Sequence, residues 1–482
     1  MNQKVYLYHW PKTQWVKTDA GTPPYAECTI HWLFDPAYAA VRELFRMDGF
    51  DSDYYGTKAW NPLSGYIQPG QTVLLKPNLV LHESQNKNED YYSVVTHPGI
   101  IRAIVDYVYL ALKGQGKIFI GDAPVNNADF GLICEKLGLN EIQSAYQSLG
   151  FVVELVDFRL YTMKKDEAGV IRNQQYTESM ENHIVIKVDE HSRLRDSDQH
   201  FKDYRVTEYN GYSMPMHHNR IEHRYCFHKS VFEADVVIGL PKIKSHRKTG
   251  YTCAMKNWVG LNGNKDWLPH HTKGSAENGG DEYLYRSFRK ALIAASWDIR
   301  WKLKNILFQK ILLVFEQIVR HSRRLLPFKD QYWEGSWYGN RTVARMINDI
   351  NIALLYSNRN GELQAAPQRN IFYLVDGIIC GEGEGPLAAK SKACRTVLWG
   401  SNAYAIDRVV TQLIGFDHRK IETLRLASES SELSLIDFAP DNIDIITNLR
   451  NKPISLNALR SVIGFNFEPA QGWKGHIEIN NV

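Results

Sequence analysis

One stretch of this chain concentrates the side chains that could do chemistry. Behind the β-branched run Val236–Leu240, the segment 234–260 carries Lys242, Lys244, His246, Lys256 and Asn257. Lysine ammonium groups hold negative charge as compact point charges, and a histidine can exchange a proton near neutral pH. His246 and Lys256 are therefore catalytic candidates for chemistry on an anion. The same design recurs twice: Gln71–Asn78 ends in Lys76 and Asn78, and Lys117–Pro124 carries Asp122 at its tip. A glycine-rich acidic stretch follows Asn370–Val375 and holds Asp376, Glu382 and Glu384. Paired carboxylates can divide the acid and base roles, so Asp122, Glu382 and Glu384 join the catalytic candidates. Lys76, Asn78, Lys242, Lys244 and Asn257 are the residues expected to grip a cofactor or the anion itself. Hard cations take carboxylate oxygens; Asp376 is the expected ligand here if a divalent metal serves as cofactor.

These residues need a frame that brings strand ends together. In open α/β sheets the ligand site lies beyond the carboxyl ends of the strands. Val236–Leu240 reads as a buried strand stopped by Pro241, which puts the lysines after it on a loop. The strand Gln71–Asn78, a helix Ile100–Leu112 capped by Thr96-His-Pro-Gly99, and the strand Lys117–Pro124 form a βαβ unit. A helix over Glu135–Leu149, strands over Phe151–Val156 and Val397–Trp399, and a helix over Ala403–Leu413 continue the alternation. The expected fold class is α/β: a mostly parallel sheet with flanking helices, two-lobed, with a long basic amphipathic helical insertion. The expected segments are an N-terminal flank at 1–69, an α/β lobe at 70–280, the helical insertion at 281–345, and a C-terminal α/β portion at 346–482 that completes the core. Gly114 and Gly116 precede a strand, whereas the dinucleotide fingerprint follows one, so no dinucleotide site is expected there.

Other stretches bear on partners. Residues 157–230 are polar, and their histidines, His217, His218, His223 and His228, have no metal-site spacing and read as a solvated loop. The loop 262–280 reads as a lid or binding loop. From Asp281 to Leu326 there is no glycine or proline, as in one long helix or two abutting ones; from Arg286 to Arg324 ten Lys/Arg face two Asp/Glu. A basic amphipathic helix can lie on an anionic membrane or dock a protein partner. The apolar part, Ile306–Val319, is interrupted by polar residues and falls short of the roughly 20 residues that span a bilayer.

Composition excludes some classes. With 44% hydrophobic and 23% charged residues and a net charge of +4, the chain is ordinary for a globular protein, and no nucleic-acid motif is present. The six cysteines, Cys28, Cys134, Cys226, Cys253, Cys380 and Cys394, are scattered without a CxxC pair. That disfavours a disulfide framework or a cysteine-ligated cluster. The amino terminus carries no apolar run of signal-peptide length, so a cytoplasmic location is expected.

The ordered set Leu75-Lys-Pro-Asn78, Thr96-His-Pro98, Gly121-Asp122, Ala234-Asp-Val-Val-Ile with Pro-Lys-Ile-Lys-Ser-His246, Gly250, Lys256-Asn257, Asp376-Gly with Gly-Glu-Gly-Pro386, and Ala405-Ile-Asp407 resembles the family known as domain of unknown function 362, over roughly residues 70–415. The resemblance implies a fold but no settled reaction. Some members carry ferredoxin-like iron–sulfur modules; this chain lacks that cysteine run, so no iron–sulfur cluster is expected. The spacing His246-x3-Gly250-Tyr251-x4-Lys256 is similar to the central motif of the lactate racemase family, which uses a histidine as acid/base and a lysine to tether a nickel-pincer nucleotide. In that family a metal-ligating histidine falls near the place of His270 or His271 here. A glycine pair precedes the lysine there, where this chain has Cys253-Ala254-Met255, residues expected to crowd the cofactor; the nickel-pincer nucleotide is not expected.

The sequence thus points to an enzyme acting on a small anionic or polyhydroxylated compound by acid/base chemistry of racemase or epimerase type. The rival is a non-catalytic ligand-binding or scaffold protein, membrane-peripheral through residues 286–324.

Overall fold

The computed structural model describes residues 3–10, 36–165, 171–177, 179–206, 211–303, 305–322 and 329–479. Cys28 and the basic residues Lys304, Arg323 and Arg324 lie outside them.

Apolar β-branched runs set the centre of the molecule. Strands Lys4–His9 (β1), Thr72–Pro77 (β2), Lys117–Asp122 (β3), Val152–Asp157 (β4), Val236–Leu240 (β5), Lys242–His246 (β6), Gly250–Thr252 (β7), Asn370–Glu382 (β8), Lys390–Gly400 (β9) and Asp444–Thr447 (β10) form one sheet. Its path is β10-β1-β9-β8-β5-β2-β3-β4, with β6 on β8 and β7 on β6. The run β8-β5-β2-β3-β4 is parallel. β9 is antiparallel to both β8 and β1, and β1 is parallel to β10. The α/β, mostly parallel expectation holds.

Both faces of the sheet are covered, which is why its strands read as continuous apolar runs rather than alternating ones. Val73, Leu75, Val236 and Ile238 face a core with the helices Pro36–Asp48 and Pro98–Leu112. Leu74, Phe119, Val237 and Tyr373 face a second core with the helices Thr342–Tyr356 and Ala403–Ile414. Each fully buried aliphatic side chain contributes on the order of 2 kcal/mol. The sheet draws strands from before residue 70, from the 70–280 segment and from beyond residue 346, so three of the expected segments share one sheet.

Several expectations change. Pro241 interrupts the strand without ending it: β5 pairs with residues 370–373 of β8, and β6 continues along the same neighbour, with Lys242 opposite Asp376 and Lys244 opposite Gly381. Proline cannot donate, and its carbonyl accepts from Asp376 N–H at 2.9 Å. Lys242, Lys244 and His246 are therefore strand residues rather than loop residues, and Asp376 lies inside β8 rather than beyond its end. Gly138, at φ 64°, splits the expected helix 135–149 into Phe130–Lys136 and Leu139–Ser148. The histidine patch is buried, not solvated: His217 stacks on Trp267 with centroids 3.7 Å apart, His218 Nε2–H donates to the Trp267 carbonyl at 2.7 Å, and His223 Nε2 sits 2.9 Å from Asp198.

Of the two arrangements expected for 281–326, one long helix or two abutting ones, the chain forms two helices, Phe288–Lys302 and Ile306–His321. Asn305 caps the second by accepting from Leu307 N–H at 2.9 Å. Contacts of Arg289 with Ser322 and of Ser296 and Arg300 with Glu316 make the two an antiparallel hairpin. Among the described residues no helix is long and apolar enough to cross a membrane.

Candidate functional site

Strand order reverses beside β2. The chain builds outward from β2 through β3 to β4, then returns at β5 on the other side of β2. Such a switch point opens a crevice at the carboxyl ends of the strands. Here it is a cavity of about 200 Å³. β2 delivers Lys76 and Asn78, β3 delivers Asp122, and β6 delivers Lys244 and His246. The turn after β6 adds Lys248, the short helix Ala254–Asn257 adds Lys256 and Asn257, and the loop after it adds Lys265 and His270.

Each of these is positioned by a neighbour. Lys76 Nζ lies 2.7 Å from Asp122 Oδ1 and donates to Asn257 Oδ1 at 3.2 Å, while Asn257 Nδ2 returns a bond to the Lys76 carbonyl at 3.0 Å. The other oxygen of Asp122 accepts from Leu79 N–H at 2.6 Å. Lys244 Nζ donates to Asn78 Oδ1 at 3.1 Å and to the Val94 carbonyl at 2.6 Å. Lys248 Nζ donates to the Glu334 carbonyl. Asp407 holds the helix that bears Lys256: it accepts from Ala254 N–H at 2.7 Å, Met255 N–H at 3.1 Å and the Tyr251 hydroxyl at 2.8 Å. Gly260 lets the backbone pass over the Lys76–Asp122 pair, since a Cβ there would fall 2.0 Å from Asp122 Oδ1 and 2.6 Å from Lys76 Nζ.

Five lysines face one carboxylate in this cavity. No protein acceptor among the described residues bonds the side chain of Lys256 or Lys265. Burying an ammonium without a partner disfavours its charge. Burial first, and then the nearby Lys76, lowers Lys256 to about 8, although it remains half-exposed where it lines the cavity. Burial lowers Lys265 to about 7 and Lys248 to about 8. Lys244 is pushed well below its ordinary value by burial and by Lys242 and Lys256. The cavity presents an excess of positive charge to whatever enters it.

The two cavity histidines are fixed in opposite tautomers. His246 Nδ1 accepts from the backbone N–H of Lys248 at 3.1 Å and of Thr249 at 3.3 Å, so its neutral ring carries the proton on Nε2. His270 Nδ1 lies 2.7 Å from the Leu268 carbonyl, which can only accept, so this ring carries its proton on Nδ1 and leaves Nε2 as an acceptor. Both are held neutral: burial, then Lys256, pushes His246 well below its ordinary value, and burial, then Lys248, lowers His270 to about 3. The chain does turn back at Gly250, φ 80°, to bring His246 and Lys256 to one cavity.

Among the expected site residues, Lys76, Asn78, Asp122, Lys244, His246, Lys256, Asn257 and His270 share this cavity. Five others do not line it. Lys242 and Asp376 form a fully buried ion pair at 2.7 Å, and Asp376 also accepts from His97 N–H at 2.6 Å and Ile378 N–H at 3.0 Å. Glu382 pairs with Lys392 at 2.7 Å and accepts from Glu468 N–H, and Glu384 accepts from Gln471 N–H at 2.6 Å; they pin the C-terminal segment. His271 opens the short strand His271–Thr272 and lines a separate cavity with Arg205 and Trp297. The expected metal ligands Asp376, His270 and His271 thus do not converge. In the main cavity one paired carboxylate and one imidazole nitrogen among five lysines are the wrong donors for a divalent cation. Cys253, Ala254 and Met255 are buried in the core and do not line the cavity, so they do not crowd it.

Sequence reasoning passed over Lys248 and Lys265. Lys248 follows Arg247 directly behind His246, and Lys265 follows two glycines, Gly260 and Gly263, that permit close backbone approach; basic residues next to such glycines were the available signal.

No curated protein matches the sequence, so the likeness to the lactate racemase family rests on the His246–Lys256 spacing alone. A crystal structure of a Thermotoga maritima protein, a structural-genomics target, is similar at 9% identity and a TM-score of 0.33, covering 80% of this chain and 59% of that one. A family model matches residues 73–188 and 194–412, a range that contains every strand-borne residue of the cavity. By that match the chain belongs to the family described as Domain of unknown function (DUF362).

Proposed function

We propose that the protein is an enzyme that binds a small, multiply charged anion in this cavity and moves a proton on it, in the manner of a racemase or epimerase. The observation that carries the reading is the pair Lys256 and Lys265, which line the cavity with no hydrogen-bond acceptor among the described residues. A base works best with a pKa near the working pH. Burial lowers both well below the ordinary lysine value, Lys265 to about 7 and Lys256 to about 8, so both exchange protons near neutrality; Lys265, the more deeply buried of the two, serves as base and Lys256 as acid. Lys265 takes the proton on the carbon next to a substrate carboxylate. The C–H electron pair moves into the carboxylate to give an enediolate, and Lys256 returns a proton to that carbon. Lys244, Lys248 and the Nε2–H of His246 stabilise the oxyanion. His246 is thereby a hydrogen-bond donor rather than the proton acceptor its position in the sequence suggests.

Incubation with dicarboxylates, hydroxy acids and phosphorylated sugar acids in D2O, followed by proton NMR, tests this. Deuterium should replace the proton beside the carboxylate of the anion that binds. Lys265→Met should cut exchange by about 10²-fold or more and weaken binding far less. Anions that bind tightly and never exchange would leave the non-catalytic ligand-binding reading in its place.

A further inference from the structure

The helix Ile306–His321 is built inside out. Its neighbour in the hairpin packs against its polar side: Glu316 is buried, accepts from Ser296 Oγ at 3.0 Å and lies 3.5 Å from Arg300. The apolar side faces solvent, where Leu307, Phe308, Ile311, Val314, Phe315 and Ile318 form one stripe, with Leu307 64% and Ile318 62% exposed. Contiguous apolar patches of this kind mark an interaction surface.

We propose that this stripe lies in the surface of an anionic lipid membrane. Three observations select lipid. The stripe has no hydrogen-bonding side chain with which to specify a protein partner, and an acyl layer requires none. Arg286, Lys302 and Lys310 are exposed on or beside the hairpin and suit anionic headgroups, while its two carboxylates, Asp298 and Glu316, are already held in ion pairs. Sixteen residues make a helix of roughly 24 Å, too short to span the hydrocarbon layer and suited to lying in its plane. The helix is also tied to the cavity wall. Arg320 lies 3.8 Å from the Glu334 carboxylate, and the Glu334 carbonyl accepts from Lys248 Nζ. Docking therefore seats the membrane helix one residue away from an anion-holding lysine.

The test is co-sedimentation of the full chain with vesicles of phosphatidylglycerol and phosphatidylcholine against vesicles of phosphatidylcholine alone. Binding to the anionic vesicles should exceed binding to neutral ones by about tenfold, and salt should weaken it without abolishing it, because the apolar contact is not screened. The double variant Ile311→Asp and Ile318→Asp changes exposed positions; it should keep its melting temperature and its affinity for anions in the cavity while losing vesicle binding at least tenfold. Vesicle binding that survives the double variant would overturn the proposal. So would a wild-type chain that ignores vesicles, including one whose stripe instead holds two copies together, seen as a dimer by sedimentation velocity that the variant dissolves.

Discussion

Lys242 and Lys265 are both buried lysines, and they have opposite roles. Lys242 meets Asp376 at 2.7 Å, with both side chains fully buried and Asp376 taking two further backbone hydrogen bonds. That pair is complete within the chain and joins β6 to β8. Lys265 lines the cavity with no acceptor among the described residues, and its charge is suppressed to the point that it titrates near neutrality. A buried charge that the fold itself satisfies reports on architecture; one that the fold leaves unsatisfied reports on a ligand. The difference is one of partners, since residue type and burial are the same in both.

Breaking the complete pair should give the largest effect. Asp376→Ala leaves the Lys242 ammonium buried without a counter-ion and should cost about 3–5 kcal/mol of stability, read from urea denaturation. If the loss were below about 1 kcal/mol, Lys242 would have to find another acceptor, and the contrast with Lys265 would collapse.

Lys265→Met should do the reverse. Removing an unpaired buried cation should leave the ligand-free protein as stable as before or up to about 3 kcal/mol more stable, while anion affinity falls far less than exchange does. The sign of the pH dependence follows from the lowered value. Between about 7, where folded Lys265 loses its proton, and roughly 10.4, where an unfolded lysine does, the unfolded chain holds more protons, so stability of the ligand-free protein rises with pH. Lys256 and Lys248, each at about 8, add to the same trend. Melting temperature should climb from pH 7 to pH 9 in wild type and climb less in Lys265→Met. Anion affinity should run the other way, falling as pH rises above about 8, where Lys256 and Lys248 lose the charge that holds the ligand. A flat melting profile shared by both proteins would place Lys265 next to an acceptor.

Much of this was legible in the sequence because it is local. Strand-ending pairs such as Lys76–Asn78 and Asp122 follow apolar runs whose period fixes the strand, and the glycine at 250 announces the reversal that brings Lys256 back to His246. What failed was the assignment of partners. Lys242, Lys244 and His246 alternate along one strand, but which of them faces a carboxylate is set by β8, more than a hundred residues away. Asp376 looked like a strand end because Asp376-Gly377 reads as a turn; β6 and β9 supply the pairing that carries β8 through it to Glu382. Glu382 and Glu384 looked like an acid/base pair, and the C-terminal segment that they hold lies more than eighty residues downstream. The inverted helix Ile306–His321 was legible as amphipathic, but amphipathicity does not say which face turns outward.

The smallest effect sharpens the contrast within the cavity itself, between its two histidines. His246 accepts on Nδ1 from two backbone N–H groups and should populate the tautomer protonated on Nε2. His270 donates from Nδ1 to the Leu268 carbonyl and should populate the other. Burial among lysines holds both below the ordinary histidine value, His270 at about 3, so neither should change protonation between pH 6.5 and pH 9. Nitrogen-15 NMR of histidine-labelled protein should show two constant, opposite patterns of ring-nitrogen shifts across that range. His246→Gln, which keeps a side-chain donor, should lower turnover only a few-fold, whereas His246→Phe should lower it by about 10²-fold, as loss of one oxyanion donor does. Titration of His246 near pH 6.5 would show that its Nδ1 is free of the backbone, and would return to it the proton-accepting role proposed for Lys265.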